Sequence, residues 1–288
     1  MSAEPGGSLV LVGTPIGNRE DLSPRAVRAM LEADLLFCED TRSPLRLVEA
    51  GTELPPRISC FVGNEHERLE QLRAALLDGK RVAFVSEAGM PVWSDPGRQL
   101  VELAWEVGAT VDVVPGPTAA ATALAASGFV AEGAVFVGFA PRAGVEREQA
   151  LERASKSTGA CMFYEAGNRS AALLRDLASL EAEGSTRRVL VARELTKRHQ
   201  ELRRGPLGVV AAELDGSLRG EVCIVLEGRP EVASAEGDPA EQRAREVLEL
   251  MLDSTLKPRA RAKAIAERTG LDARELYARL SAKRGDDT

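Results

Sequence analysis

The chain has 288 residues, 44% of them hydrophobic, and a formal net charge of −7; it can bury one large core or two medium ones, and its charge opposes wholesale nucleic-acid coating without excluding a local basic surface. Two histidines and four scattered cysteines without CxxC spacing leave little material for a zinc centre or a Ser/His/Asp triad, so hydrolase and metalloenzyme readings lose weight and no metal is expected. No apolar run approaches the roughly 20 residues of a membrane helix, and the opening MSAEPGGS lacks the charged-then-apolar block of a secretory signal, so a cytoplasmic, non-membrane protein is expected.

In chain order, strand-like and helix-like patterns alternate from Leu9: LVLVGTP, a helix over Pro24 to Ala33, LLFCED, a second helix, RISCFV, a helix over Glu65 to Leu77, VAFVSEAG, a helix over Pro96 to Val107, and VDVVPGP. This is the rhythm of a mostly parallel α/β sheet. The Ala-rich stretch Thr118 to Ser127 is expected to carry the crossing to a second set that begins near Ala134: VFVGFAP, an Arg/Glu-rich helix, CMFYEAG, a helix over Ser170 to Leu180, RVLVARELTK and a closing strand VCIVLEG. Cys38, Cys60, Cys161 and Cys223 read as buried thiols. The segment GRPEVASAEGDPAEQ has linker composition. Three short helices follow, in VLELMLDS, ARAKAIAERTG and DARELYARL, with Gly270 closing one and Asp272 capping the next, in a helix-turn-helix-like arrangement. From Met251 onward nine Lys/Arg stand against six Asp/Glu, so this tail is either an RNA contact or a solvated basic surface. The expected organisation is α/β: domains over 1–122 and 123–232, and a small helical domain over 240–288.

Four strand ends run into segments dense in Gly, Pro and small polar residues: GTPIGN at 13–18, SEAGMPVWSDPG at 86–97, PGPTAA at 115–120 and YEAGNR at 164–169. Ligands bind at the carboxyl ends of parallel strands, where such loops admit close backbone approach. Each alone is equally a tight turn; together they suggest a nucleoside-type pocket. No GxGxxG or GxxxxGK[ST] is present, so nicotinamide and ATP readings fall. In CEDTR, Asp40 could orient or deprotonate a hydroxyl and Arg42 could hold phosphate, or the two could form a salt-bridged cap.

These motifs, with GFAPR, FYEAGNR and ARELTK, stand in an order that resembles the ribosomal RNA small subunit methyltransferase I family of the tetrapyrrole methylase fold superfamily. The resemblance runs from about Leu9 to Glu227. It implies two tetrapyrrole-methylase-type α/β domains with the cofactor cleft between them, and a homodimer that transfers a methyl group from S-adenosylmethionine to the ribose 2'-oxygen of a decoding-region cytidine, in 16S rRNA or the 30S subunit. By position it implies cofactor contacts from Pro15, from Glu87, Ala88, Gly89, Met90 and Pro91, from Thr118 and Ala119, and from Tyr164 and Glu165. Where that family reads SDAGTP this chain reads SEAGMP, which is expected to remove one cofactor hydrogen bond.

A sulfonium methyl is already electrophilic, so the protein must chiefly align the nucleophilic oxygen and assist proton loss. Asp40 and Glu65 are the candidate bases; Arg42, Arg193 and Lys197 are candidates for phosphate or oxyanion contact, with a strand-end ion pair to Glu194 as the alternative for the last two. His66 is a candidate substrate contact or an exposed helical histidine. The competing functions are methylation of another acceptor on the same fold, such as a tetrapyrrole, and a catalytically silent RNA-binding relative.

Overall fold

The computed structural model describes residues 6–182, 184–214, 218–229, 246–251 and 256–282. The chain divides into two compact units, 1–229 and 230–288. The first unit contains two five-stranded sheets.

The first sheet, ordered β3-β2-β4-β1-β5, is formed by β1 (Ser8–Val12), β2 (Leu35–Cys38), β3 (Arg57–Ser59), β4 (Arg81–Val85) and β5 (Thr110–Val114), and every pairing in it is parallel. Successive strand side chains point to opposite faces, and a parallel sheet must cover both. Leu9 and Leu11 of β1 accordingly join one core with Leu72 and Leu76 of α2 (Glu65–Leu77) and Leu100 and Leu103 of α3 (Arg98–Glu106). Val10 and Val12 join the opposite core with Ala26 and Met30 of α1 (Pro24–Leu31). Ser23 caps α1 by accepting the Ala26 N–H at 3.0 Å. The helix expected between β2 and β3 is not formed: a single 3-10 turn, Pro44–Arg46, stands there. Pro44, Gly51 at φ 89° and the Pro55-Pro56 pair leave too short a run for a stable helix.

The second sheet, ordered β6-β7-β10-β8-β9, comprises β6 (Val135–Phe139), β7 (Cys161–Ala166), β8 (Arg188–Arg193), β9 (Glu201–Pro206) and β10 (Glu221–Leu226). Only β6 and β7 pair in parallel; the other three pairings are antiparallel. One face packs on α5 (Gly144–Lys156), α6 (Gly167–Ser179) and α7 (Leu207–Glu213). The other face receives Ala120 and Ala123 of α4 (Ala119–Ser127), which spans the expected domain boundary, together with Ile16 from beyond β1. Strand β9 and helix α7 were not anticipated from the sequence, and α6 starts at Gly167, so that Gly167, Asn168 and Arg169 form a first helical turn rather than a loop.

In the second unit, 246–251 is helical and precedes α8 (Pro258–Thr269) and α9 (Ala273–Ala282). Gly270, at φ 72°, closes α8, and the Asp272 carboxylate accepts the N–H groups of Arg274 and Glu275 at 2.7 and 3.0 Å, as the pattern requires. Ala262 and Ile265 are buried, and Arg268 pairs with Glu246 at 3.0 Å. Most of the linker reading, from Pro230 on, lies outside the described residues.

Candidate functional site

The loops that leave β1, β4 and β5 are locked to one another before any ligand is considered. A Cβ on Gly13 would meet the Gly116 nitrogen at 2.5 Å and the Met90 sulfur at 2.8 Å, so glycine at 13 and 116 lets two loops lie back to back. Thr14 and Gly89 exchange backbone hydrogen bonds of 2.8 and 3.1 Å. The Met90 sulfur accepts the Gly116 N–H at 3.2 Å. The thioether that replaces the family's threonine is thus used to hold the PGP loop.

Beside these loops lies a cavity of about 370 Å³, walled on one side by Ile16, Ala88, Gly89, Met90, Trp93, Ser94, Asp95, Thr118 and Ala119, and on the other by residues of the second sheet and its loops, among them Phe139, Tyr164, Glu165, Ala192, Lys197, Glu221 and Cys223. Trp93 stacks on Phe136 with ring centroids 4.7 Å apart, and Tyr164 meets Phe136 and Phe139 edge-on. The Tyr164 hydroxyl accepts the Ala120 N–H at 3.2 Å, fixing that ring to the start of α4. Val92 and Ser94, which flank Trp93, both take left-handed backbone conformations, φ 71° and 67°. For β-branched Val92 this is a costly geometry of the kind that clusters at ligand sites.

The loop after β8 closes the other wall. The Asn18 N–H donates to the Thr196 hydroxyl at 3.0 Å, tying the β1 loop to it. Lys197 bonds Glu194 at 3.0 Å and Glu221 at 2.6 Å; burial works against its charge, yet these two carboxylates hold its pKa above the ordinary lysine value. Lys197 therefore reaches the cavity within the ion pair to Glu194 that the sequence offered as its alternative.

Of the residues proposed from the sequence, Ala88, Gly89, Met90, Thr118, Ala119, Tyr164, Glu165 and Lys197 line the cavity. Pro15 and Pro91 are buried beside it, outside its lining. Exposed Glu87 turns away from it: its carboxylate accepts the Ser43 hydroxyl at 2.9 Å, and its N–H donates to Glu39 at 3.1 Å. Arg193 donates to the Arg219 carbonyl at 2.8 Å and to Glu201 at 3.4 Å. His66 is exposed.

Neither candidate base from the sequence lines the cavity. Asp40 is engaged by Arg42 through side-chain bonds of 2.6 to 3.0 Å and a 2.8 Å backbone bond, and that guanidinium holds its pKa well down, at about 2. A carboxylate so acidic is a weak proton acceptor. Glu65 is buried at 8% exposure, and its carboxylate accepts the N–H groups of Gly97 and Gln99 at 3.2 and 2.9 Å, capping α3. Asp95 was missed. It is half-buried in the cavity wall, and its pKa is raised to about 6, first by burial and then by repulsion from Glu39 and Glu87, against a hydrogen bond from Ser86. Its signal was the SDPG at the end of a loop already singled out, where an aspartate before Pro-Gly reads as a turn former.

With Glu165 paired to Arg169 and Glu221 to Lys197, Asp95 is the lining carboxylate without an ion pair among the described residues, and the aromatic faces of Trp93 and Tyr164 add negative quadrupoles, so the cavity suits a cationic ligand with a flat ring system. Its volume lies in the range of small-cofactor sites, about 300–1,000 Å³. Among the described residues no group of three His, Cys, Asp or Glu is placed to hold a metal ion, and no helix is long and apolar enough to cross a membrane.

All four cysteines are buried and unpaired. Burial pushes the Cys223 thiol up to about 12, and burial is also the main cause at Cys60, about 12, and Cys38, about 11. Only a thiolate is nucleophilic. Iodoacetamide at neutral pH is therefore expected to leave the native protein unlabelled and to label it fully in guanidinium, as read by intact mass; rapid native labelling of Cys223 would contradict this cavity geometry.

Comparison with known proteins agrees with this architecture. The model of the Tetrapyrrole (Corrin/Porphyrin) Methylases matches residues 8–211. The protein named Ribosomal RNA small subunit methyltransferase I from Thermotoga maritima is 42% identical over 224 residues, 77% of this chain and 99% of its own. Its namesake from Synechocystis sp. is 37% identical over 274 residues, 94% of this chain and 96% of its own. Among solved structures, a cobalt precorrin-4 methyltransferase superposes with a TM-score of 0.57 at 16% identity, covering 76% of this chain and 94% of that one. A Thermus thermophilus uroporphyrin-III C-methyltransferase complexed with S-adenosylhomocysteine gives 0.54 at 21% identity, covering 77% and 97%.

Proposed function

We propose that this chain, which belongs to the tetrapyrrole (corrin/porphyrin) methylase family and to its ribosomal RNA small subunit methyltransferase I branch, uses S-adenosylmethionine to methylate a cytidine ribose 2'-oxygen of 16S rRNA. One observation carries the reading: a cavity fit for a cationic, ring-bearing ligand lies at the carboxyl ends of β1, β4 and β5, in a chain so similar to proteins named for small-subunit rRNA methylation. The homodimer and the 30S acceptor implied by the resemblance belong to the same reading.

Bound in the cavity, the cofactor supplies an electrophilic methyl on a sulfonium. The chain does the rest. The loops at Gly89, Met90, Thr118 and Ala119 hold the cofactor by close backbone approach, while Tyr164, Phe139 and Trp93 shield it from water. Asp95, rather than Asp40 or Glu65, would accept the proton of the ribose hydroxyl, to which the bound cofactor would supply the methyl group. A carboxylate with a pKa of about 6 is matched to that task near neutral pH. Lys197 offers a cation near the developing oxyanion.

The test combines calorimetric titration of the cofactor with methyl transfer from labelled S-adenosylmethionine to 30S subunits and to naked 16S rRNA. Binding together with label in one ribose of a 16S cytidine is expected. Binding with transfer only to a tetrapyrrole would replace the acceptor, and no binding at millimolar cofactor would overturn the reading.

A further inference from the structure

A second recess, of about 610 Å³, opens beside the cavity and shares Glu165 and Ala166 with it as lining. Its rim is built from the loop after β6 and from α5 and α6, which bring Arg142, Arg147 and Arg169 together. Three guanidinium groups in one concavity are notable in a chain of net charge −7, and the fold uses only part of what they offer.

Arg147 is fixed. Its Nε and Nη2 donate to Asp176 at 3.1 and 2.7 Å, and its Nη1 to the Pro141 carbonyl at 2.9 Å. Arg169 pairs with Glu165, but its Nε is buried and has no hydrogen-bond partner. Arg142 is exposed, and no hydrogen bond or ion pair engages it among the described residues. The thirteen-residue helix α6 begins at the same recess with no side-chain cap and no acidic residue in its first turn, so its N-terminal dipole adds to the positive field. Asp176 and Glu165 offset two arginines and the Gly167 N–H is taken by the Gly220 carbonyl at 2.8 Å, so among the described residues it is Arg142 whose charge remains unanswered.

We propose that this recess binds a phosphodiester of the RNA substrate next to the nucleotide that enters the methyl-transfer cavity. The inference rests on the RNA reading above. Arg142 is its principal donor, Arg169 lines it while paired with Glu165, and Arg147, held by Asp176, sets its floor. The cofactor carries no phosphate, so cofactor binding has no use for this charge, and the shared wall at Glu165 and Ala166 puts an anchored backbone beside the reacting ribose.

The experiment uses the full chain and three proteins: wild type, Arg142→Glu and Arg142→Lys. Because Arg142 is exposed and unpartnered, neither change removes a native contact. Three quantities are read: cofactor affinity by calorimetry, KM for 30S subunits, and equilibrium binding of a labelled 16S rRNA fragment as a function of KCl. Arg142→Glu is expected to raise KM and weaken fragment binding roughly tenfold, to reduce the slope of log affinity against log salt by about one, and to leave cofactor affinity unchanged; Arg142→Lys retains most of the binding. If wild type methylates 30S subunits and Arg142→Glu does so with unchanged KM and salt slope, the subsite is wrong and the RNA reading stands. If wild type binds cofactor but methylates no RNA, the function fails and fragment binding decides the subsite: a tenfold loss in Arg142→Glu supports it, and equal affinities overturn it.

Discussion

Replacing Asp95 with asparagine is expected to lower kcat for methyl transfer by about two to four orders of magnitude, the range that a positioned general base contributes, while cofactor affinity changes by no more than a few-fold. The carboxylate is active only when ionised. Since its pKa is raised to about 6, the wild-type rate should fall as pH drops through that value, and the variant should lose this limb of the profile. Stability runs the other way. A folded-state pKa above the ordinary aspartate value means that folding favours the protonated form, so its contribution is fully present below the ordinary pKa and is lost as pH rises through about 6. The asparagine variant, neutral at every pH, should therefore melt slightly higher than wild type at neutral pH and no higher at pH 4. A variant with wild-type kcat and an unchanged acid limb would move the base elsewhere.

Arg187→Met is expected to destabilise the first unit strongly. Arg187 is 7% exposed; its Nε donates to the Glu227 carbonyl at 2.6 Å, its Nη1 to the Ser155 carbonyl and the Glu181 carboxylate at 2.8 Å each, and its Nη2 to the Ala154 carbonyl at 3.1 Å. One guanidinium thus satisfies the last carbonyls of α5, the strand end of β10 and a buried carboxylate. Removing it leaves Glu181, whose side chain is 8% exposed, with the more exposed Arg229 at 3.2 Å and the Ser185 hydroxyl at 3.3 Å. Loss of one partner from a buried pair costs about 3–5 kcal/mol, and for a chain of this size that lowers Tm by roughly 10 °C. Guanidinium denaturation checks the figure. Adding Glu181→Leu should recover part of the loss, because no charge then remains buried alone. A loss below about 1 kcal/mol in the single variant, the level of a surface ion pair, would mean that water replaces these bonds.

The parts of this fold that could be read from the sequence are those where one face is apolar and the punctuation is strong. Helix α2 runs from Glu65 to Leu77 as expected, Ser23 caps α1, and Gly270 and Asp272 separate α8 from α9. Strand β9 was hidden because ELRRGP is an edge strand with alternating half-exposed and exposed positions, and its arginines and Gly-Pro mask any period. Its antiparallel partnership with β8 is tertiary information. At the site, loops signalled by small residues were found because backbone approach needs them. The acid–base group proposed here was not, since what distinguishes Asp95 from Asp40 is burial near Glu39 and Glu87 in one case and the grip of Arg42 in the other. Neither is written in local spacing. The same holds for Glu65, whose carboxylate is spent on the N-terminus of α3, more than thirty residues away in sequence.

The order of the second sheet has a consequence for how the molecule comes off the ribosome. Its last strand, β10, lies at the centre, between β7 and β8, and pairs with both. Synthesis runs from the N-terminus, and domains fold as their elements emerge. The all-parallel sheet can close once β5 is out, but β7 and β8 have only a gap between them until Glu221–Leu226 arrives, and Glu221, Val222 and Cys223 of that strand are themselves cavity wall. A nascent chain stopped short of β10 would carry every loop of the first sheet and still have no pocket. The cavity wall is therefore complete only once the chain has been made through β10.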